Sequence, residues 1–223
     1  IHPQFVHNHL TKDKMILTQD ISNNLIALNS SGEKIWSKKI DNKILGEINY
    51  IDAYKNKKFQ ALFNTNDQLH LIDRRGEYVD GFPQKLPANT SIGHSLFDYR
   101  NNKNYRIIIT GDDNILYNLD KKGNHIRGWK YSKKIERINQ NPKHFVINNK
   151  DYILNATNNT TTRLLARNGS DRTTFNDTHS FNSPVKISKK GTLYAITKEK
   201  KLWTANVDGT TDTSSMPNIE STS

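Results

Sequence analysis

One pattern recurs five times along this chain of 223 residues and constrains its fold more than any other feature. In each copy a short apolar segment leads into a polar turn that ends in glycine. The glycines lie 40 to 47 residues apart, at Gly32, Gly76, Gly123, Gly169 and Gly209. Repeats of this length that consist of strands are typical of β-propeller blades. The pattern therefore predicts an all-β fold, a β-propeller of about five four-stranded antiparallel blades, either complete or as part of a larger ring.

A second polar turn precedes each glycine turn and divides every repeat into four strands, A to D. Such turns occupy residues 54–59, 99–105 and 147–152, and each is rich in Asn or Lys. Asn tolerates the positive φ of tight hairpins, and lysine keeps a hairpin tip in water. In the third repeat, strands A to D are predicted at residues 95–99, 105–110, 115–120 and 124–130.

The repeats predict one propeller domain over residues 1–211, followed by a loose tail over 212–223. Its units extend over about 1–40, 41–86, 87–132, 133–177 and 178–211. The chain contains no cysteine, so no disulfide can form. It begins at Ile1 rather than Met, which favours a processed chain or a fragment. No apolar run approaches the ~18 residues of a membrane-spanning helix, and we expect no transmembrane segment in this chain.

The net charge of +11 is unevenly distributed over the predicted turns. The A–B and C–D turns of an antiparallel blade leave from one end, and the B–C turns leave from the other. Acidic residues favour the B–C turns, where Asp20, Asp67, Asp112, Asp113 and Glu199 are found. Cations favour the A–B and C–D turns, and the candidate binding residues of this basic face are Lys55, Lys57, Lys58, Arg74, Arg75, Arg100, Lys103, Lys121, Lys122, Lys189 and Lys190.

Such a basic face attracts polyanions or acidic protein surfaces. The alternative interpretation is that lysines at hairpin tips only promote solubility and block the pairing of sheet edges. Both interpretations remain open from the sequence.

Residues 25–36 (LIALNSSGEKIW) resemble the repeat of the quinoprotein-like (PQQ-like) β-propellers, in which an apolar strand ending in Asp or Asn precedes a glycine turn and a Leu/Ile-Trp pair. Residues 76–83 (GEYVDGFP) and 123–129 (GNHIRGW) resemble the Gly-x-x-Val-x-Gly-Phe/Trp-Pro form of related bacterial envelope propellers. The composition, rich in Asn, Lys and Ile, is similar to repeat regions of uncharacterised Bacteroidota envelope proteins. The resemblance covers most of residues 1–210 and implies blade architecture rather than a particular function.

Quinoprotein dehydrogenases have more blades, a tryptophan in most repeats, a cysteine pair and a set of calcium ligands. In this chain only Trp36 occupies the motif's tryptophan position, and cysteine is absent. The resemblance therefore does not imply an enzyme, and we expect no catalytic residues, no cofactor and no metal site. We interpret Trp36, Trp129 and Trp203 as residues of blade packing rather than as platforms for sugars.

The sequence favours a non-catalytic propeller that acts as a protein-interaction or scaffold module in a bacterial cell envelope or periplasm. Its expected partner is another protein with an acidic surface. The alternative is a carbohydrate-binding, lectin-like propeller, which would need exposed aromatic residues in its loops. A glycan-acting or quinone-dependent enzyme would need converging carboxylates, and no motif indicates them. Nucleic acid is not an expected ligand, because the sequence does not interleave aromatic residues with the basic turns as stacking would require.

Overall fold

A computed structural model of the chain describes residues 2–7, 14–131, 140–156, 162–175 and 179–216. The chain divides into two compact units, residues 1–127 and 128–223. Within the described ranges every regular element is a strand, and within each sheet the strands pair antiparallel in the order of the sequence. None of the described residues forms a helix that is long and apolar enough to cross a membrane.

The first unit contains three sheets, here called blades 1 to 3. Blade 1 consists of β1 (Gln4–His7), β2 (Lys14–Gln19), β3 (Asn24–Leu28) and β4 (Lys34–Lys39). Blade 2 consists of β5 (Leu45–Ile51), β6 (Gln60–Asn64), β7 (Gln68–Ile72) and β8 (Gln84–Lys85). Blade 3 has three strands, β9 (Ser95–Phe97), β10 (Arg106–Thr110) and β11 (Leu116–Leu119).

The second unit contains blades 4 and 5. Blade 4 consists of β12 (Lys143–Ile147), β13 (Lys150–Ala156), β14 (Thr162–Leu165) and β15 (Asp171–Thr174). Blade 5 consists of β16 (Lys186–Ile187), β17 (Leu193–Ile196), β18 (Lys201–Ala205) and β19 (Thr211–Ser215). Strand β19 extends into the segment predicted as a tail, and residues 217–223 of that segment lie outside the described residues.

The fourth strand predicted over residues 124–130 of blade 3 does not form. A single bridge joins Leu119 to His125, and the N–H of Ile126 donates to the carbonyl of Asn118 at 2.8 Å. In blade 2 the chain likewise makes one bridge, then turns at residues 79–82 before the two-residue strand β8. Gly81 in this turn has φ +81°, which glycine adopts without steric cost. The Gly-x-x-Val-x-Gly motif therefore bends residues 77–83 of blade 2, here called the outer segment. An unbroken strand D was predicted there.

The C–D turns explain why Asp or Asn ends strand C. In blades 1 to 3 the side-chain oxygens of Asn29, Asp73 and Asp120 each accept the N–H two residues later, at 2.8 to 3.0 Å. The same oxygens accept the N–H four residues later, at 2.8 to 3.0 Å. These Asx turns satisfy backbone donors that the strands leave unpaired and fix the tip of each hairpin.

The apolar core lies between successive sheets of each unit. One cluster joins blades 1 and 2, around Leu17, Leu25 and Phe63, and a second joins blades 2 and 3, around Leu71 and Ile107. A third cluster joins blades 4 and 5 and contains Trp203, which is 2% exposed. Each sheet is thus covered by its neighbour, which accounts for the near-continuous apolar runs in its B and C strands.

Two tryptophans each pack on a turn glycine forty residues further along the chain. A Cβ atom built on Gly76 would lie 2.8 Å from the ring of Trp36, and one built on Gly169 would lie 2.9 Å from the ring of Trp129. The indole Nε1 of Trp36 also donates to the carbonyl of Arg74 at 3.0 Å. Trp129 makes the same packing contact as Trp36, although it lies six rather than four residues after its turn glycine.

Candidate functional site

The A–B turns of blades 2 and 3 have the same construction, and aspartate organises both. The carboxylate of Asp52 accepts the N–H groups of Asn56 and Lys57 at 2.9 and 3.0 Å. The carboxylate of Asp98 accepts those of Asn102 and Lys103 at 3.1 and 2.8 Å. Lys57 and Lys103 both have φ +63°, so each turn contains the left-handed backbone that the Asn- and Lys-rich sequence predicted.

Lysines of blade 3 bind the A–B turn of blade 2. The ammonium of Lys103 lies 2.5 Å from a carboxylate oxygen of Asp52, whose side chain is fully buried. The ammonium of Lys121 donates to the carbonyl of Ala53 and lies 6.0 Å from the ring centroid of Tyr54. The ammonium of Lys55 in turn donates to Asn104 at 2.9 Å. Three of the predicted binding lysines therefore also hold neighbouring turns in place.

Asp52 is ionised despite its burial. Burial alone would raise the pKa of this carboxyl, but the hydrogen bonds from Lys103, Lys57 and Asn56 outweigh burial and keep the pKa below its ordinary value. Because the folded-state pKa is lowered, this stabilisation is complete above the unfolded-state pKa of about 4 and is lost as the pH falls through the folded-state value.

Replacing Asp52 by asparagine is expected to lower the free energy of unfolding by about 2 kcal/mol, because a buried charged acceptor is lost. The matched control is Asp98→Asn, since Asp98 accepts the equivalent two N–H groups in blade 3. We expect a loss of about 1 kcal/mol or less there. Urea unfolding of both variants at neutral pH measures the difference. Equal losses would show that the Lys103–Asp52 ion pair adds no stability.

Two open depressions lie among these turns, with volumes of about 390 and 620 Å³. The first lies between the A–B and C–D turns of blade 2. The second is bordered by three segments, which are the A–B turn of blade 2, the outer segment of blade 2 and the C–D turn of blade 3. Tyr54, Val79 and Asp80 line both, and the ring of Tyr54 is 56% exposed. The two depressions therefore adjoin along one end of these blades.

Cations outnumber carboxylates around the depressions. The cationic lining residues are Lys58, Arg74, Arg75, Lys121 and Lys122, and the acidic ones are Asp73 and Asp80. Asp73 is engaged by its own turn and by the guanidinium of Arg75, whose Nε lies 3.3 Å from the carboxylate. Five positive charges against two negative ones leave a formal excess of three positive charges on this surface.

Aromatic side chains lie between these basic turns. Tyr54, Phe59 and Tyr78 line the first depression, and Tyr54 and Phe82 line the second. The premise that aromatic residues are not interleaved with the basic turns is therefore wrong for blade 2. Tyr54 and Phe59 flank the basic A–B turn in the sequence, whereas Phe82 comes from the outer segment and reaches the turns only in the folded blade.

The structure brings together part of the predicted basic set. Lys58, Arg74, Arg75, Lys121 and Lys122 surround the depressions, and Lys57, Arg100 and Lys103 lie in the A–B turns of blades 2 and 3 with Lys55. Lys189 and Lys190 lie in the A–B turn of blade 5, in the second unit, and both are exposed. Sequence reasoning missed Tyr54, Phe82 and Gln84. The Gly-x-x-Val-x-Gly-Phe motif at residues 76–82 was the available signal for Phe82.

In blade 4, Asp151 links the A–B hairpin to the C–D turn. Its carboxylate lies 2.7 Å from His144 Nε2 and accepts a hydrogen bond from Arg167 Nη2 at 3.0 Å. Burial would raise the pKa of Asp151, but His144 and Arg167 outweigh it and lower the pKa. Among the described residues, no three His, Asp or Glu side chains cluster as a metal site would require.

Solved structures with similar folds are distant in sequence. BamB from Moraxella catarrhalis is 13% identical and aligns over 93% of this chain and 62% of that one, with a TM-score of 0.57. The computationally designed protein Ika8 is 9% identical over 94% and 59%, with a TM-score of 0.61. BBS1N, solved in complex with ARL6DN, is 14% identical over 97% and 65%, with a TM-score of 0.54.

The chain spans less than two thirds of the length of each of these three structures. No protein-family model matches the sequence, and no curated protein matches it significantly. Similarity at this level of identity shows the fold alone. Together with the five antiparallel sheets, it confirms the predicted β-propeller architecture.

Proposed function

We propose that this chain is a non-catalytic protein-interaction module that binds an acidic surface of a partner protein through the basic turns of blades 2 and 3. The excess of positive charge around the two depressions supports this proposal. Charge complementarity of this kind accelerates encounter and selects acidic partners. The exposed ring of Tyr54 adds contact area of the kind enriched at protein interfaces.

The rigidity of the turns also supports a docking role. The A–B and C–D turns are closed by hydrogen bonds to Asp52, Asp98, Asp73 and Asp120, so little ordering is needed on binding. A propeller of the same fold, BBS1N, was solved in complex with a protein partner, ARL6DN. The resemblance of the Gly-x-x-Val-x-Gly-Phe-Pro segment to bacterial envelope propellers supports a place in the cell envelope.

The test compares two double variants with the same change of charge. Lys58→Glu with Lys122→Glu reverses two exposed cations at the basic depressions. Lys43→Glu with Lys85→Glu reverses two exposed cations at the opposite end of blade 2. Each protein captures partners from envelope extract of the source organism at low and high salt, and mass spectrometry quantifies what is retained.

We expect a discrete protein to be retained by the wild type and by the Lys43/Lys85 variant at low salt. The Lys58/Lys122 variant should retain at least tenfold less of it, and high salt should release it because exposed charges are screened. Equal retention by the two variants would contradict the proposal, as would the absence of any discrete protein bound by the wild type.

A further inference from the structure

The boundary between blades 2 and 3 contains an open space beside its turn glycine. At the equivalent place between blades 1 and 2, a tryptophan ring fills that space. At the first boundary, the indole of Trp36 covers Gly76. At the second, the equivalent Gly123 meets only Gln84, whose Cγ would lie 3.1 Å from an added Cβ. Glutamine is thinner and shorter than an indole, and the depression of about 620 Å³ lies beside it. The space therefore has a structural cause, namely the absence of a tryptophan at position 84.

The lining of this cleft has an apolar part and a charged rim. The half-buried Val79 and Phe82 contribute apolar surface beside Gln84, Leu71 is almost fully buried, and the exposed Tyr54 forms one edge. Lys121 and Lys122 of the blade 3 C–D turn contribute two cations to the lining, and Asp80 contributes one carboxylate. The ammonium of Lys121 donates one of its three N–H groups to the carbonyl of Ala53, so two N–H groups can donate to an anionic partner. Apolar lining with nearby cations fits a ligand that carries both an apolar group and carboxylates.

We propose that this cleft receives an acidic peptide segment of the partner protein, an inference that rests on the function proposed above. An apolar side chain of the segment enters beside Gln84 and Phe82, in the space that an indole fills at the preceding boundary. Neighbouring Asp or Glu side chains lie against Lys121 and Lys122. The charges of Lys121 and Lys122 favour an acidic segment by electrostatic complementarity.

The probes are three fluorescein-labelled peptides of nine residues. One has a central leucine flanked by glutamates, one replaces that leucine by glycine, and one replaces the glutamates by lysines. Fluorescence anisotropy measures their binding to the whole chain at low salt. We expect the acidic leucine peptide to bind at least fivefold more tightly than the glycine peptide, and the lysine peptide not to bind.

Two variants test the location. Gln84→Trp fills the cleft and should weaken binding of the acidic leucine peptide at least tenfold. Tyr54→Ala removes an exposed ring from the edge, should leave folding intact, and should weaken binding about threefold or more. The matched control is Phe5→Ala, which removes an aromatic ring that is 74% exposed in β1 and should change binding less than twofold. Thermal unfolding shows whether Gln84→Trp is folded, and Tyr54→Ala tests the cleft if it is not.

The outcomes separate this inference from the proposed function. If Gln84→Trp and Tyr54→Ala bind the peptide like the wild type while Lys58→Glu with Lys122→Glu does not, the cleft is excluded and the basic face stands. Equal binding of the leucine and glycine peptides overturns the apolar anchor. The inference is overturned if no peptide binds the wild type. If in that case oligogalacturonate binds the wild type but not Gln84→Trp, the cleft binds an acidic sugar rather than a peptide.

Discussion

Replacing Gly76 by alanine is expected to lower the free energy of unfolding by about 3 kcal/mol, whereas the same change at Gly32 should cost only about 1 kcal/mol. Both glycines occupy C–D turns with positive φ, +86° and +82°. They differ in what an added Cβ would meet, since it would lie 2.8 Å from the ring of Trp36 at Gly76 and in open space at Gly32. The excess cost therefore measures the packing of one blade on the next.

A double-mutant cycle gives this prediction its control. Trp36→Ala alone should be destabilising because the indole packs against the core between blades 1 and 2. In the Trp36→Ala background the cost of Gly76→Ala should fall to that of Gly32→Ala, because the obstructing ring has gone. Urea unfolding supplies all five free energies. If Gly76→Ala costs no more than Gly32→Ala in the wild-type background, the indole does not pack against the glycine as described.

Acidification from pH 7.5 to 5 is expected to lower the free energy of unfolding by about 4 kcal/mol, with His70 and His94 contributing about 2 kcal/mol each. Burial lowers the pKa of each from the ordinary histidine value of 6.5 to about 4. The unfolded chain therefore binds protons near pH 6.5 while the folded chain resists them until about pH 4. The stability that depends on the two neutral histidines is complete above about pH 6.5, and it is lost progressively as the pH falls towards 4.

The contacts of the two histidines explain why they stay neutral. The ring of His70 stacks between Phe63 and Tyr78, and its Nδ1 lies 2.9 Å from the Tyr78 hydroxyl. The Nδ1 of His94 lies 3.1 Å from Oδ1 of Asn64, which can only accept, so this nitrogen carries the proton. Protonation of either ring would place a second charged donor in a buried, apolar setting.

His94→Asn gives the sharpest check, because the asparagine amide can still donate to Asn64 but does not titrate. The loss of stability between pH 7.5 and 5 should shrink by about half in this variant. His125→Asn, at an exposed position beside Tyr117, is the control and should leave the loss unchanged. A stability curve that is flat between pH 7.5 and 5 in the wild type would contradict the assignment.

The blade repeat could be predicted from the sequence because it depends on short-range interactions. Asp73 and Asp120 accept N–H groups two and four residues away, and Gly76 and Gly123 supply the positive φ that these turns require. A contact that closes within five residues leaves its mark at a fixed spacing. This is why the turn pattern in the sequence predicts the antiparallel hairpins.

The binding surface could be predicted only in part. The cations of the A–B and C–D turns were identified, but the sequence does not show that Lys103 pairs with Asp52 or that Lys121 bonds to Ala53. These partners are 51 and 68 residues apart in the chain. The Gly-x-x-Val-x-Gly motif was recognised as a family feature, yet its effect of interrupting strand D followed only from the turn at Gly81.

The sequence by itself determined the all-β class, the number of repeats and the basic composition of one set of turns, because periodicity and turn chemistry are local. The tertiary structure alone decided that Trp36 packs on Gly76 and Trp129 on Gly169, while Gln84 leaves a cleft beside Gly123. Which residue faces which glycine depends on how two sheets stack. That stacking is set by the shapes of side chains some forty residues apart, and no spacing within one repeat records it.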